Sequence, residues 1–283
     1  GFLINSFDRV ERTQIDLTGR TFQFLHYDIS AFTARKFATT NYQFAQFENG
    51  EPVFTNEFLF SAVKIALRYA YKEKMVQALH NTFFVSTAYP VLFAQVTQGF
   101  KNIFGSRYNF TKAEAKIKFY FSTKAIGDIA FQIAAGYILG ELPQGDLFAG
   151  RGNYQIIGLY SGNSFQTMRL NEFYSDRYVA LFYQQDLKTL LFRSRKFQPK
   201  PLLVINATIG TLGNKSLHHN TDFKTLDKGF IETGLIINNI ISKQYFGVAR
   251  LQLGVGAFYR LGYYMLPNPI DNVAFKVNFG ISF

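Results

Sequence analysis

Few residues in this chain have types and spacings that could do chemistry. His26 and Asp28 stand two apart, on one face of a strand-like segment, the spacing of a histidine–carboxylate acid–base pair. No serine is placed to complete a nucleophile, so ordinary strand polarity is the favoured reading. His218-His219 with Asp222 has ligand-type side chains, but adjacent residues of an extended chain point to opposite sides and chelate poorly. Gly150-Arg151-Gly152 is too short for a phosphate loop and lacks the Gly-Lys-Ser/Thr that would follow. The absence of cysteine removes disulfides, zinc-thiolate centres, iron–sulfur clusters and cysteine nucleophiles together. The expectation is no catalytic residue, no metal and no cofactor.

Charge is the stronger signal. The 283 residues carry 30 Lys+Arg against 19 Asp+Glu, a net +11. The basic residues do not form a tail. Lys64, Arg68, Lys72, Lys116, Lys118, Arg250, Arg260 and Lys276 sit inside strand-like segments, on the face opposite the apolar one. Such a face attracts anionic solutes or lipopolysaccharide phosphates, or pairs with acidic groups of a plug or partner. Interleaved aromatics also resemble a single-strand nucleic-acid platform, but the compartment implied below argues against nucleic acid as a partner.

The elements that carry these residues are strands. From Val273 onward, Val273, Phe275, Val277, Phe279, Ile281 and Phe283 form an apolar face, and Ala274, Lys276, Asn278, Gly280 and Ser282 a small or polar one. Period two recurs over Val63–Lys72, Glu114–Phe121, Ile129–Tyr137 and Arg250–Leu261, and more weakly over Tyr178–Gln185, Leu202–Leu212 and Phe230–Asn238. No stretch reaches the roughly 18 apolar residues of a membrane helix, whereas a tilted strand crosses a bilayer in roughly 9–11. A soluble sandwich also alternates, but three features favour a membrane barrel. The strands are long, their apolar faces end in Phe and Tyr, and Lys or Arg sits mid-strand opposite, comfortable in a wet interior and costly toward lipid. Backbone hydrogen bonding in lipid then demands closure. The expectation is an all-β fold, an antiparallel transmembrane β-barrel of about 12 strands at roughly ten residues per span. It forms one domain over residues 1–283. Gly1 is not an initiator methionine and no signal peptide opens the chain, so a processed protein or a fragment is expected, with up to 16 strands if some precede it.

The closing aromatic strand, with Phe279, Ile281 and terminal Phe283, resembles the signal that the barrel assembly machinery reads in bacterial outer-membrane barrels. That resemblance implies the outer membrane of a Gram-negative bacterium, in contact with its lipids and lipopolysaccharide. A narrower resemblance covers roughly the last two-thirds. It begins with Glu57-Phe58 and the run Leu67–Lys74, and continues through Tyr89-Pro90-Val91-Leu92, Gly140-Glu141-Leu142-Pro143 and Gly152-Asn153. Its sharpest piece is Met168 followed by Asn171–Val179, and it ends with Glu232–Ile240 and Arg250. These resemble an uncharacterised family of Bacteroidota outer-membrane proteins, often with a carboxypeptidase-regulatory-like domain ahead of the barrel. The layout is also similar to the insertase and two-partner-secretion superfamily, in which a long loop folds inward and carries an Arg-Gly-aromatic tip. The corresponding connection here is Gly140–Phe173, with Arg151 and Arg169 as tip candidates, neither followed by Gly-aromatic. Glu172, Asp176 and Arg177 are the cluster expected to anchor that loop.

These readings lead to a non-enzymatic subunit of an envelope-biogenesis, protein-insertion or export assembly, with other envelope proteins as partners. The alternatives are a passive or gated pore for anionic solutes and, more weakly, a barrel hydrolase using His26 and Asp28.

Overall fold

A computed structural model describes residues 8–38, 41–48, 51–78, 81–192, 197–221, 223–245 and 249–282, without the side chains of 47–48, 75–78, 81–86, 244–245, 249–250 and 281–282. The protein is all-β, with no α-helix among the described residues. Eleven long strands follow one another as antiparallel neighbours in chain order: β1 (Arg9–Thr21), β2 (Leu25–Phe37), β3 (Glu57–Ala70), β4 (Val91–Gly99), β5 (Phe110–Thr123), β6 (Gly127–Leu139), β7 (Arg177–Asp186), β8 (Lys200–Thr211), β9 (Phe230–Tyr245), β10 (Ala249–Leu261) and β11 (Val273–Ser282). The twelfth member of the sheet is the short segment Ile157–Leu159, parallel to β11 at Phe275–Val277. Eleven of the roughly twelve expected antiparallel strands are thus present among the described residues, and the twelfth sheet member is a parallel loop segment. β1 stands at one end of the order and the Ile157–Leu159 segment, beyond β11, at the other; β1 and β11 are not paired with each other among the described residues.

Register confirms the alternation. Because directly opposed residues share a face, Asp28, Ala66, Gln95, Glu114, Gly136, Tyr178 and Gly210 fall on one face of seven consecutive strands. Their sequence neighbours fall on the other. The sheet is strongly curled. In a flat sheet β2 and β11 would lie roughly 43 Å apart, nine spacings of about 4.8 Å. Yet Lys36 of β2 pairs with Asp146 and Lys276 of β11 donates to Asn153 O, and the chain from Asp146 to Asn153 spans at most about 25 Å. Tyr42, in the connection after β2, hydrogen-bonds His218, in the connection after β8, at 2.8 Å. His218–His219 also pairs as a strand with the hairpin Gln43–Glu48/Glu51–Thr55.

The two ends of the curl differ. Tight turns at 22–24 and 124–126 close one end, which also carries the hairpin Lys74–Ala78/Asn81–Ser86. The connections 38–56, 100–109, 140–176, 212–229 and 262–272 leave from the other end. There an apolar cluster that includes Tyr42, Phe44, Phe58, Phe60, Tyr108, Leu147 and Leu217 packs the loops together. The connections at 38–56 and 71–90 each carry a hairpin. Their short apolar runs are hairpins because an extended segment leaving a sheet end satisfies its backbone groups most simply by folding back on itself.

Candidate functional site

The two faces differ: the outer one exposes apolar side chains, and the inner one buries charged side chains among apolar clusters. The outer face is apolar and exposed: Ile205 is 46%, Val255 48% and Phe275 50% accessible. Outward aromatics stand near both ends of the strands, Tyr69, Phe121 and Phe279 near the tight turns and Tyr137 near the long loops. The inner face holds the charges, and Glu232, Arg260 and Lys276 are at most 1% accessible. Exposed apolar side chains recurring over successive strands are the kind of patch that marks an interaction surface.

The long connection 140–176 enters the curl and satisfies those charges. Its two ends pair as short strands, Phe148–Ala149 with Tyr174–Ser175. The backbone N–H of Asn153 donates to Phe165 O at 2.8 Å, and that of Tyr154 to Met168 O at 2.9 Å. A Cβ on Gly152 would overlap the Arg169 carbonyl, so Gly150-Arg151-Gly152 is a close-approach motif of the loop itself. Phe165, Met168 and Phe173 pack against the wall at Phe182 and Phe230, and Tyr160 stacks on Phe258 with centroids 5.7 Å apart.

Four polar anchors hold the loop. The carboxylate of Glu232 accepts the backbone N–H of Gln166 and of Thr167, both at 2.8 Å, the Thr167 hydroxyl at 2.7 Å and the Asn206 amide at 2.8 Å. Arg260 donates to both oxygens of Glu172, at 2.9 and 2.8 Å, and also to Thr167 O. Burial alone would raise the Glu172 carboxyl, but the Arg260 hydrogen bonds and the Arg169 backbone N–H outweigh it and hold the group below the usual range. Arg151 Nη2 donates to Glu114 at 2.8 Å, and Tyr178 and Lys116 approach the same oxygen at 2.9 and 3.0 Å. Lys276 Nζ donates to Asn153 O at 2.6 Å. At the loop's entry Lys36 pairs with Asp146, while Lys112 donates to Asp146 O at 2.7 Å.

The structure sorts the expected residues. Glu172 and Arg260 meet although 88 positions apart, and Arg151 reaches the wall. Arg169 stays exposed, over the Tyr154 ring at 5.7 Å. Asp176 accepts the Gly213 N–H at 2.8 Å and so ties two loops together. Arg177 corrects the expectation of an inward residue. Tyr178 takes the inward position opposite Gly136, so period two turns Arg177 outward, beside Tyr137 at 5.5 Å and 3.5 Å from Asp176. Lys72 lies in a turn at φ 48° rather than on a strand face. Among the basic inner-face residues, Lys64 pairs with Asp28 at 3.0 Å, Arg68 with Glu73 at 2.7 Å, and Lys118 lies over the Phe93 ring at 5.4 Å. Arg250 is in register with Ser282, and Phe279 is exposed on the outer face. The side chains of Arg250 and Ile281, and all of Phe283 and Asp222, lie outside the described residues. Asp28 is engaged by Lys64 and by the Ser30 hydroxyl, both at 3.0 Å. His218 and His219 do diverge, His218 to Tyr42 and His219 to the Phe54 ring. No group of three metal-type side chains occurs among the described residues. Glu232, Glu114 and Asp146 were not singled out in the sequence. The available signal was a lone acid at an inward strand position for the first two; Asp146 carried none.

The chain is thus an all-β protein built around a curled antiparallel sheet whose inner face is occupied by its own longest loop. It belongs to the family of unknown function DUF5686, whose C-terminal-domain model matches residues 25–212, from the start of β2 to just beyond β8. No curated protein matches it.

Two outcomes follow. Glu232→Gln places an amide donor against the backbone donors of Gln166 and Thr167. The expected result is a loss of about 2–3 kcal/mol in urea unfolding and new protease cleavage within 153–164; unchanged stability and resistance would remove Glu232 as the anchor. In the cap, Tyr42 Oη accepts the Gln144 N–H at 2.9 Å and shares a hydrogen bond with His218 Nδ1 at 2.8 Å. Burial first, and His219 second, lower His218 from 6.5 to about 4. The folded cap therefore binds fewer protons than the unfolded one, and its stability is full above about 6.5 and declines as the pH falls toward about 4. Amide exchange of Gln43–Gln46, taken relative to β8 amides to cancel intrinsic rates, should accelerate over that window in the wild type and not in His218→Gln.

Proposed function

We propose that this chain is the barrel of an outer-membrane protein of a Gram-negative bacterium, a non-enzymatic subunit of an envelope-biogenesis, protein-insertion or export assembly. The observation that carries the membrane assignment is the contrast between the two faces of the sheet, with an exposed apolar outer face and a buried, charged inner face. Lipid covers the first and the loop satisfies the second. The outward aromatics near both strand ends fit the two bilayer interfaces, and the long-loop end faces the cell exterior, as in bacterial barrels. In a bilayer the unpaired backbone groups of β1, and of the part of β11 that Ile157–Leu159 does not cover, would cost several kcal/mol each, which favours closure between these edges. The outer-membrane address rests on the final strand's likeness to the assembly signal. The assignment to Bacteroidota and the distant likeness to insertase barrels rest on the motifs quoted above.

The assembly role draws support from the filled interior. A conduit needs an open path, whereas this inner face is crossed by a loop held through Glu232, Arg260, Glu114 and Lys276. The second reading, a pore for anionic solutes, draws on the basic inner face. It is weakened by the carboxylates that Lys64, Arg68, Lys116 and Arg260 already face.

Planar-bilayer conductance separates the two. The assembly role predicts no steady open current from the wild type, an open current once the loop is freed by Glu232→Gln with Arg260→Met, and a stoichiometric envelope partner on purification from outer membranes in mild detergent. A stable anion-selective current from a wild-type protein recovered alone would put the pore in its place.

A further inference from the structure

One part of the inner face is left empty by the loop. A cavity of about 690 Å³ opens beside β5, β6 and β7, on the tight-turn side of the loop. Lys118 and Gln132 face each other across the β5–β6 ladder and line it, with Gln184 from β7, Tyr89 before β4 and Asn163 from the tip of the inward loop. Two features set it apart. Lys64, Arg68, Lys116 and Arg260 each meet a carboxylate, whereas Lys118 has only the Phe93 ring and no carboxylate partner among the described residues. Gln132 is 3% accessible, and its Nε2 has no hydrogen-bond partner among the described residues. Burying an amide donor without an acceptor is costly. Glu73, the acid that lines the cavity, is held by two hydrogen bonds from Arg68, at 2.7 and 2.5 Å. The free polar groups at the Lys118–Gln132 pair are thus a cation and an amide donor side by side, with Phe182 and Val91 supplying apolar wall.

We propose that this cavity binds a small soluble solute that carries an oxyanion beside an apolar or aromatic body. Lys118 neutralises the anion, Gln132 donates to one of its oxygens, and the tip of the inward loop closes the far side. The proposal rests on the inner face alone and holds whether or not the outer face meets lipid.

Phenyl phosphate is a suitable probe, titrated into the full chain in detergent micelles and followed by phosphorus NMR. The expected result is saturable binding that phenol, lacking the anion, does not displace. Binding should weaken at least tenfold in Lys118→Gln, weaken in Gln132→Leu, and stay within twofold in Lys64→Gln, whose charge lies elsewhere on the same face. Equal weakening by Lys64→Gln would reduce the effect to diffuse charge and overturn the site. So would an absence of saturable binding to the folded wild type, or displacement by phenol as strong as by inorganic phosphate. The wild-type competition is decisive even if a variant does not fold.

Discussion

Everything in this structure follows from one constraint: the face of the sheet turned inward carries the charge. A β-strand places alternate side chains on opposite faces; here the outer face is apolar, and the inner face holds the charges among buried aromatics such as Phe182, Phe230 and Phe258. Burying Glu232, Arg260 and Lys276 inside a curled sheet is tolerable only if each is hydrogen-bonded, since an unmatched buried charge costs far more than a lost apolar contact. The interior therefore combines apolar clusters with a set of partners for its charges.

The inward loop supplies most of those partners. Backbone N–H groups of Gln166 and Thr167 reach Glu232, a carbonyl of Asn153 reaches Lys276, and Glu172 reaches Arg260. Wall and loop are mutually dependent. Without the loop the wall would hold unpaired charges, and without the wall the loop's own short strands, Phe148–Ala149 with Tyr174–Ser175, would be too small to persist. Apolar packing of Phe165, Met168 and Phe173 then fixes the loop's depth. The cap at the long-loop end, with Tyr42 and His218 at its centre, closes the same end a second time.

The sheet was legible in the sequence because period two is a local signal. Lys64, Arg68, Lys116, Lys118, Arg260 and Lys276 all fall on the inner face, as their spacing implied. Arg177 was misplaced because it was read with its neighbour Asp176 as a pair, whereas the inward position belonged to Tyr178 and the strand period decides. Glu172 was legible as a loop anchor, but its partner was not. Arg260 lies 88 positions away, and nothing local links the two. The same holds for Lys36 with Asp146, 110 positions apart. The hairpins inside the connections at 38–56 and 71–90 were hidden because their short apolar runs satisfy a few residues of helix, strand or loop equally well.

The central claim is that the outer face lies in lipid and the inner face does not. The chain has no cysteine, so single cysteines can be introduced without background. The direct measurement places one at Ile117, Lys118, Tyr120 or Phe121 on β5, attaches a fluorophore, reconstitutes the protein, and quenches with brominated lipid or aqueous iodide. The expected result is strict alternation, with bromolipid quenching at 117 and 121 and iodide quenching at 118 and 120. Iodide quenching at all four positions, with no effect of bromolipid, would contradict it and return the sheet to an aqueous setting.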